Sequence, residues 1–252
     1  MSRVFCIGLT LAVAVLVCGS ARGEFPDKFT NLKVLPKEIS KQELQATMRG
    51  FAFALGVRCE HCHVEKKAGG GDYDFPADDK QAKKTARVML QMVDRINRDY
   101  IGKLAQRDAS PLIHVECMTC HHGLTRPQPL NAVLAASLDK DGPDKTIALY
   151  QQLRARYYGT GQYDFGETPL NLLAEALLGK ERNADALAVM NLSFSMNHPD
   201  SVWSYHMFAF AHQANGQLDL AVADYRKALE LHPDDSWAQQ QIEALSKPKS
   251  DR

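Results

Sequence analysis

Cysteine is scarce in this 252-residue chain, and neither sign of charge is in excess. There are six cysteines, and 30 basic residues are balanced by 30 acidic ones. This balance argues against a nucleic-acid-binding protein, which would carry a basic surplus. The apolar run near the N-terminus, residues 4–17, is shorter than the ~20 residues that a membrane-spanning helix needs.

Four of the six cysteines belong to two short motifs of one pattern. The motifs read C-x-x-C-H and comprise Cys59, Cys62 and His63, and Cys117, Cys120 and His121. This pattern is the attachment signature of c-type haem, in which two thiols bond the vinyl groups and the next His binds the iron. A zinc site would not need a His after each pair, and a thioredoxin-like dithiol would need a βαβ context. The sequence therefore predicts two covalently bound haem c groups.

Residues 1–23 are typical of a secretory signal peptide. Arg3 precedes the apolar run, and Ala21 and Gly23 provide small residues before a cleavage site. Export agrees with the motifs, because bacterial c-type haem is attached outside the cytoplasm. We expect a periplasmic protein, associated with the membrane only if Cys18 carries a lipid. A retained N-terminal anchor is the alternative.

A methionine lies on a predicted helix before the first motif. Ser40 and Glu43 form a capping box that begins a helix of about 15 residues, which Gly56 can end. Met48 lies on the apolar face of this helix. After a short turn, its sulfur can reach the iron on the side opposite His63. A methionine that only fills the core is the alternative.

A second helix, about Lys80–Gln106, is predicted before the second motif. Met89 is central in its apolar stripe, which runs from Ala86 to Leu104, and Met92 lies a turn away. Either methionine could be the sixth ligand of the second haem, and the stripe favours Met89. The other candidates are His61, His114 and His122. Residues 66–79, between the first motif and this helix, are predicted to form a solvated loop without a calcium-binding pattern.

These segments resemble the cytochrome c subunit of photosynthetic reaction centres. The resemblance lies in Thr47-Met48-Arg49-Gly50 with the first motif, and in Ala86–Met92 with the second. In that family each unit is a helix, a turn and a C-x-x-C-H motif, and most haems take their sixth ligand from a methionine on the preceding helix. The resemblance implies this role for Met48 and Met89. It covers about residues 30–127 and two haems where the family has four, so the chain looks like a dihaem relative.

The C-terminal half shows a repeat. His198-Pro199-Asp200 recurs as His232-Pro233-Asp234, offset by the 34-residue tetratricopeptide period. The packing and turn positions of the repeat are occupied by Tyr205, Phe208, Ala209, Gly216, Ala221, Tyr225, Ala228 and Pro233. We expect about two repeats plus a leading helix, which dock a redox partner protein. A generic helical hairpin domain is the alternative.

The predicted architecture is mainly α. A signal peptide, residues 1–23, precedes a small dihaem cytochrome c domain, residues 24–127, and a tetratricopeptide-like domain, residues 128–252. We expect an electron carrier rather than a catalyst, because a haem with His and Met ligands has both axial positions filled. Two alternatives stay open: a dihaem peroxidase-like enzyme with one open iron, and a haem-bearing scaffold or sensor.

Overall fold

A computed structural model describes residues 25–69, 71–104, 114–197 and 199–247. The predicted signal peptide and Cys18 lie outside the described residues, as does His198 of the predicted repeat. The described part of the chain is mainly helical, as predicted. None of the helices in these ranges combines the length and the apolar character that crossing a membrane requires.

The described chain divides into two units. The first consists of residues 25–53 and 57–116, and the second of residues 54–56 and 117–247, each with the gaps stated above. The second C-x-x-C-H motif falls in the second unit, with the helices that follow it. The predicted domain boundary after residue 127 stays a prediction.

Helix α1, Lys41–Leu55, begins at the predicted capping box. The backbone N–H of Ser40 donates to the Glu43 carboxylate at 3.0 Å, and the backbone N–H of Glu43 donates to Ser40 Oγ at 3.2 Å. Two N–H groups at the start of the helix therefore gain partners that the helix itself cannot supply. The prediction of a 15-residue helix that carries Met48 is confirmed.

The rest of the first unit combines a turn, a small hairpin and a long helix. In chain order these are a 3₁₀ turn at Cys59–His61, strands β1, Val64–Glu65, and β2, Tyr73–Asp74, helix α2, Gln81–Arg95, and a π-helical segment at Ile96–Ile101. The strands pair antiparallel, so part of the segment predicted as a loop is a hairpin. The predicted second helix is confirmed over its described part, but it widens into a π turn that its apolar pattern does not indicate.

The second unit begins with the second motif and continues as a series of packed helices. Its helices are α3, Cys117–His121; α4, Leu130–Asp141; α5, Pro143–Tyr157; α6, Thr168–Leu178; α7, Asn183–Asn197; α8, Val202–Ala214; α9, Leu218–Leu231; and α10, Ser236–Ser246. Pro143 and Pro169 lie in the first turns of α5 and α6, where a missing N–H costs nothing.

The helices of the second unit repeat with the predicted tetratricopeptide period. Helices α6, α8 and α10 start at Thr168, Val202 and Ser236, which are separated by that period. Helices α8 and α10 also share a side-chain cap: Ser201 accepts from the N–H of Ser204 at 3.1 Å, and Asp235 accepts from the N–H of Ala238 at 3.0 Å. Within the pairs α6–α7 and α8–α9 the helices pack together, and α4, α6 and α8 contact in succession. The tetratricopeptide-like repeat is confirmed, with the pair α4–α5 where one leading helix was expected.

Two apolar cores hold this unit together. The larger contains Leu134, Tyr150 and Leu170, all fully buried. The smaller contains Ala209, Ala221, Tyr225 and Ala238. Ala209, Ala221 and Tyr225 are predicted packing positions of the repeat, so the sequence pattern identifies this core correctly. The small alanines permit close approach of the helices, while Tyr225 fills the space between them.

Two glycines allow the end of α1 to meet the chain that follows α3. Gly56 has φ of +64°, which suits a glycine that ends a helix. The N–H of Gly123 donates to the carbonyl of Ala54 at 2.9 Å. A Cβ at Gly56 would lie 2.1 Å from the carbonyl oxygen of Gly123. Both the backbone conformation and the close approach therefore require glycine at position 56.

Replacing Gly56 with Ala should lower the free energy of unfolding by ~1–3 kcal/mol, because the methyl group strains the backbone and collides with a carbonyl. Gly50→Ala is the control, since Gly50 lies inside α1 and a Cβ there meets nothing within 4 Å. It should stabilise the protein by ~0.5–1 kcal/mol. Urea denaturation followed by far-ultraviolet circular dichroism measures both changes. Equal stability of Gly56→Ala and the unmodified protein would contradict the described contact.

Candidate functional site

A largely apolar cavity in the first unit is lined by Met48, Cys62 and His63. Its volume is about 120 Å³. Met48 comes from α1, whereas Cys62 and His63 follow the 3₁₀ turn. The structure therefore brings one predicted sixth ligand, one attachment cysteine and the predicted histidine ligand to the same space.

Aromatic rings form the wall beside His63. The ring of Phe75 meets the His63 ring edge to face, with 5.1 Å between centroids. Phe25 and Tyr73 lie 5.3 and 5.7 Å from Phe75 on the same measure. The other apolar lining residues include Phe29, Leu32, Val34, Leu35, Leu44, Phe51, Ala86 and Leu90. Such walls suit a large, apolar ligand.

The His63 ring is half-buried and electrically neutral in this setting. Burial lowers the pKa of His63, and the positive charge of Lys83 lowers it further. The Phe75 carbonyl raises the pKa of His63 slightly, although it forms no hydrogen bond of standard geometry with the ring. Nδ1 of His63 has no hydrogen-bond partner among the described residues. The neutral imidazole is the form that binds a metal ion.

Cys59 and Cys62 of the first motif are free thiols, as thioether formation with a haem requires. Burial raises the pKa of the Cys62 thiol; Cys59 acts in the same direction, and Lys80 and Lys83 oppose the shift. Cys62 lies half-buried at the cavity, and Cys59 is exposed one turn earlier. The first motif therefore presents its two thiols in different surroundings, with one of them inside the cavity.

The second motif holds its histidine in a defined tautomer. His121 is buried in α3, and its Nδ1 lies 2.7 Å from the carbonyl oxygen of Leu124. Because a carbonyl can only accept, Nδ1 must carry the proton and donate. Nε2 is thereby left with the lone pair that binds a metal ion, the usual arrangement of a metal-binding histidine. The backbone after α3 thus prepares His121 for the role that the sequence predicts.

The π-helical segment fixes the chain just before the second motif. Asn97 Nδ2 donates to the carbonyl of Val115, and the N–H of Val115 donates to Asn97 Oδ1, both at 2.8 Å. His114 Nε2 lies 3.4 Å from Asn97 Nδ2. Val115 closely precedes Cys117 in the chain, so this pair of hydrogen bonds anchors the entry to the motif. Wide turns of this kind often occur at functional positions.

The other predicted ligands are less enclosed. Met89 is half-buried on α2, and the described residues that line the cavity include its neighbours Ala86 and Leu90 but not Met89. Met92 is exposed. The alternative candidates His61, His114 and His122 are also exposed. The predicted apolar stripe of α2 is only partly buried, because Tyr100 and Leu104 at its far end are exposed. A role for Met89 at the second haem stays a prediction.

A cluster of charges borders the cavity, and the motifs do not predict it. Two guanidinium nitrogens of Arg87 contact the two carboxylate oxygens of Asp78 at 2.9 and 2.8 Å. Lys33, Asn31 and Lys83 contact the same carboxylate at 2.7, 3.0 and 3.1 Å. We call these five residues the Asp78 cluster. All of them except Asp78 line the cavity.

The partners of Asp78 stabilise its charged form. Hydrogen bonds from Arg87 and then Lys33 hold the pKa of this carboxyl well below its usual range; partial burial opposes them, and Asn31 and Lys83 add to them. The spacing of Lys83 and Arg87, one helical turn apart, places both on one face of α2. The spacing of these two cations is the feature of the sequence that could have indicated the cluster. Nothing in the sequence indicates that Asn31 and Lys33, which belong to a distant segment before α1, complete the cluster.

The cavity lining fits a haem. The charged side chains that line it are Lys28, Lys33, Lys83 and Arg87, all of them cationic, set in otherwise mainly apolar walls. Such a lining suits a flat apolar group whose charged substituents are carboxylates, as the propionates of a haem are. The free thiols and the neutral His63 add the donor set that covalent attachment and iron ligation need.

The sequence matches the model of one protein family, described as "Photosynthetic reaction centre cytochrome C subunit", over residues 18–176, which is more than half of the chain. The chain belongs to this family. The matched range of this reaction-centre-type cytochrome c includes both C-x-x-C-H motifs, Met48 and Met89, so the family resemblance predicted from those residues is confirmed. A comparison with curated proteins finds no match.

Solved structures with some similarity contain tetratricopeptide domains. The first such domain of human RPAP3 is 21% identical, with a TM-score of 0.33, and the match covers 46% of this cytochrome and 87% of that chain. The Arabidopsis OM64 domain is 19% identical, with a TM-score of 0.33, and the match covers 46% and 91% of the two chains. These likenesses are low, and it is the regular period of the helices themselves that identifies the repeat.

Replacing Asp78 with Asn should destabilise the protein at neutral pH but not in acid. The folded-state pKa of Asp78 is lowered, so the carboxylate stabilises the fold above its unfolded value, ~4, and this contribution is lost as the pH falls below that value. The difference in melting temperature between Asp78→Asn and the unmodified protein should therefore shrink as the pH falls below ~4. Asp79→Asn, at the next, exposed position, is the control. A difference independent of pH would contradict the ion pairs.

Proposed function

We propose that this reaction-centre-type cytochrome c is a periplasmic dihaem electron carrier. The observation that carries the proposal is the cavity shared by Met48, Cys62 and His63. A haem c held there through Cys59 and Cys62 would supply reversible one-electron chemistry. Export through the predicted signal peptide, residues 1–23, would bring the chain to the compartment in which c-type haem is attached.

Each motif has a proposed set of ligands. Cys59 and Cys62 would attach the first haem, and His63 and Met48 would bind its iron. Cys117 and Cys120 would attach the second haem, and His121 and Met89 would bind its iron. The hydrogen bond from His121 Nδ1 to the Leu124 carbonyl supports the assignment of His121, because it leaves Nε2 available.

The surroundings of Met48 favour electron transfer over catalysis. A thioether is a weak donor that carries no proton at neutral pH, and Met48 shares its side of the cavity with Leu44 and Phe51. These neighbours supply neither an acid nor a base, which a peroxidase would need beside an open iron. They also exclude water and leave the ligand pair unchanged when the oxidation state changes. These residues therefore hold and shield the redox centre.

The helical repeats are proposed to dock the redox partner. A groove of about 710 Å³ in the second unit is lined by the aromatic residues Tyr158, Tyr163 and Phe165 and by the acidic residues Asp164, Glu167 and Asp200. Its cation, Arg154, stacks 4.3 Å from the centroid of the Tyr158 ring and donates to Asn197 Oδ1 at 3.0 Å. With Arg154 fixed in this way and the exposed Asp164 and Asp200 at the surface, the groove suits a basic partner surface.

Replacing Met48 with Ala should open one iron to external ligands. The ferrous protein would then bind carbon monoxide at about one site per chain, whereas the unmodified protein, with both axial positions filled, would bind little. Optical titration with carbon monoxide measures the change. Met196→Ala is the control, because Met196 is a partly buried methionine of α7 that is not a candidate iron ligand. Unchanged carbon monoxide binding in Met48→Ala would show that Met48 is not a ligand.

Replacing Asp200 with Lys should slow electron exchange with a basic cytochrome c several-fold at low ionic strength, because it reverses a charge at the groove. Stopped-flow absorbance measures the rate. Asp219→Lys, an equal change at an exposed position in the first turn of α9, should have little effect. Added salt should abolish the difference. Equal rates for the two variants would exclude the groove as the docking surface.

A further inference from the structure

The Asp78 cluster carries more positive than negative charge. Lys33, Lys83 and Arg87 surround one carboxylate, so two positive charges remain unbalanced within the cluster. All three cations line the cavity that contains His63 and Met48, whereas Asp78 does not line it. The unbalanced charge therefore faces the space proposed for the first haem.

Two of these cations, Lys83 and Lys33, are held in place to different degrees. Lys83 donates to the carbonyls of Phe75, Pro76 and Ala77 at 2.7, 3.0 and 2.7 Å and is almost enclosed, with a side chain 12% exposed. Its ammonium group is therefore a fixed charge, and the three carbonyls already accept its hydrogen bonds. Lys33 has a side chain 56% exposed and contacts Asp78 at 2.7 Å. Its ammonium group has three donors in all, so it can bind a second anion without leaving Asp78.

We propose that Lys33 and Arg87, with Lys83 behind them, bind the two propionates of the haem attached through Cys59 and Cys62, and that their unbalanced charge raises the reduction potential of this haem. The inference rests on the proposed function, because it requires a haem in this cavity. Asp78 is a positioning residue. It aligns the three side chains and cancels one of their charges.

The unbalanced charges of the cluster and the charges of the haem propionates are equal in number and opposite in sign. A haem has two carboxylate substituents, and the cluster has two unbalanced positive charges. The charged residues that line the cavity are cationic, so any propionate in it meets an attractive field. Lys33, Lys83 and Arg87 all contact Asp78, so their charged groups lie close together at the cavity. Neighbouring cations of this kind can bind carboxylates through paired hydrogen bonds.

The same charges act on the electron. When a redox mediator supplies one electron to the ferric haem, the net charge of the haem falls by one. A nearby positive charge stabilises the reduced form relative to the oxidised form and so raises the reduction potential. Removal of a cation should lower the potential, and removal of the Asp78 charge should raise it. These opposite signs are specific to an electrostatic effect.

The test is a mediated redox titration of the full, haem-loaded protein, fitted with two components. Lys33→Gln should lower the potential of one component and leave the other unchanged. Lys66→Gln is the matched control. Lys66 is a lysine of the same unit, 58% exposed, paired with one carboxylate, Asp72, at 3.2 Å, and outside the cavity lining. It should shift neither component.

A second variant distinguishes an effect of charge on the reduction potential from an effect of looser packing. Asp78→Asn should raise the potential of the component that Lys33→Gln lowers. If the variants merely opened the cavity to water, both would shift this component in the same direction. Redox-induced infrared difference spectra should also show a displaced propionate carboxylate band in Lys33→Gln and an unchanged band in Lys66→Gln.

The outcomes distinguish this inference from the proposed function. An unmodified protein without bound haem, or with an open iron at the first motif, would overturn the proposed function. Intact haem spectra in every variant, with potentials equal to that of Lys66→Gln or with shifts of the same sign in Lys33→Gln and Asp78→Asn, would overturn the role of the Asp78 cluster alone.

Discussion

The proposed haem would need iron ligands on both of its faces, and the first unit brings two candidates to one cavity. The candidates come from different segments, Met48 on α1 and His63 after the 3₁₀ turn. A regular helix fixed at its start by Ser40 and Glu43 sets the position of the Met48 side chain. The turn begun by Gly56, with φ of +64°, then reverses the chain. Local backbone chemistry thereby produces a long-range arrangement of donors around one cavity.

The rest of that unit completes an environment suited to this iron site. Phe75 and its neighbouring rings cover His63, and burial keeps the imidazole neutral. Apolar walls exclude water, so charges at the border of the cavity act through a medium that screens them weakly. The Asp78 cluster supplies such charges. In our proposal, binding of the cofactor and control of its reduction potential would depend on the same few side chains.

The features that could be predicted from the sequence are those encoded by short spacings. The C-x-x-C-H motifs, the capping box before Met48 and the regular recurrence of the helical repeat each involve residues close in sequence or a strict period. The predicted core positions Ala209 and Tyr225 follow from that period and are fully buried.

The features that could not be predicted depend on tertiary contacts. Lys33 reaches Asp78 across 45 residues, and no local pattern specifies that contact. The π turn at Ile96–Ile101 arises where Asn97 is engaged by the backbone of Val115, 18 residues away. The helix pair α4–α5 has too little of the repeat consensus to be recognised as more than a leading helix.

We propose that two haems are present and that a methionine binds each iron opposite its histidine. The haem content per chain of the purified ferric protein, together with its optical and electron paramagnetic resonance spectra, tests this directly. We expect two low-spin haems and the far-red charge-transfer band of methionine-ligated ferric iron. Fewer than two haems per chain, or a substantial high-spin component, would contradict this proposal.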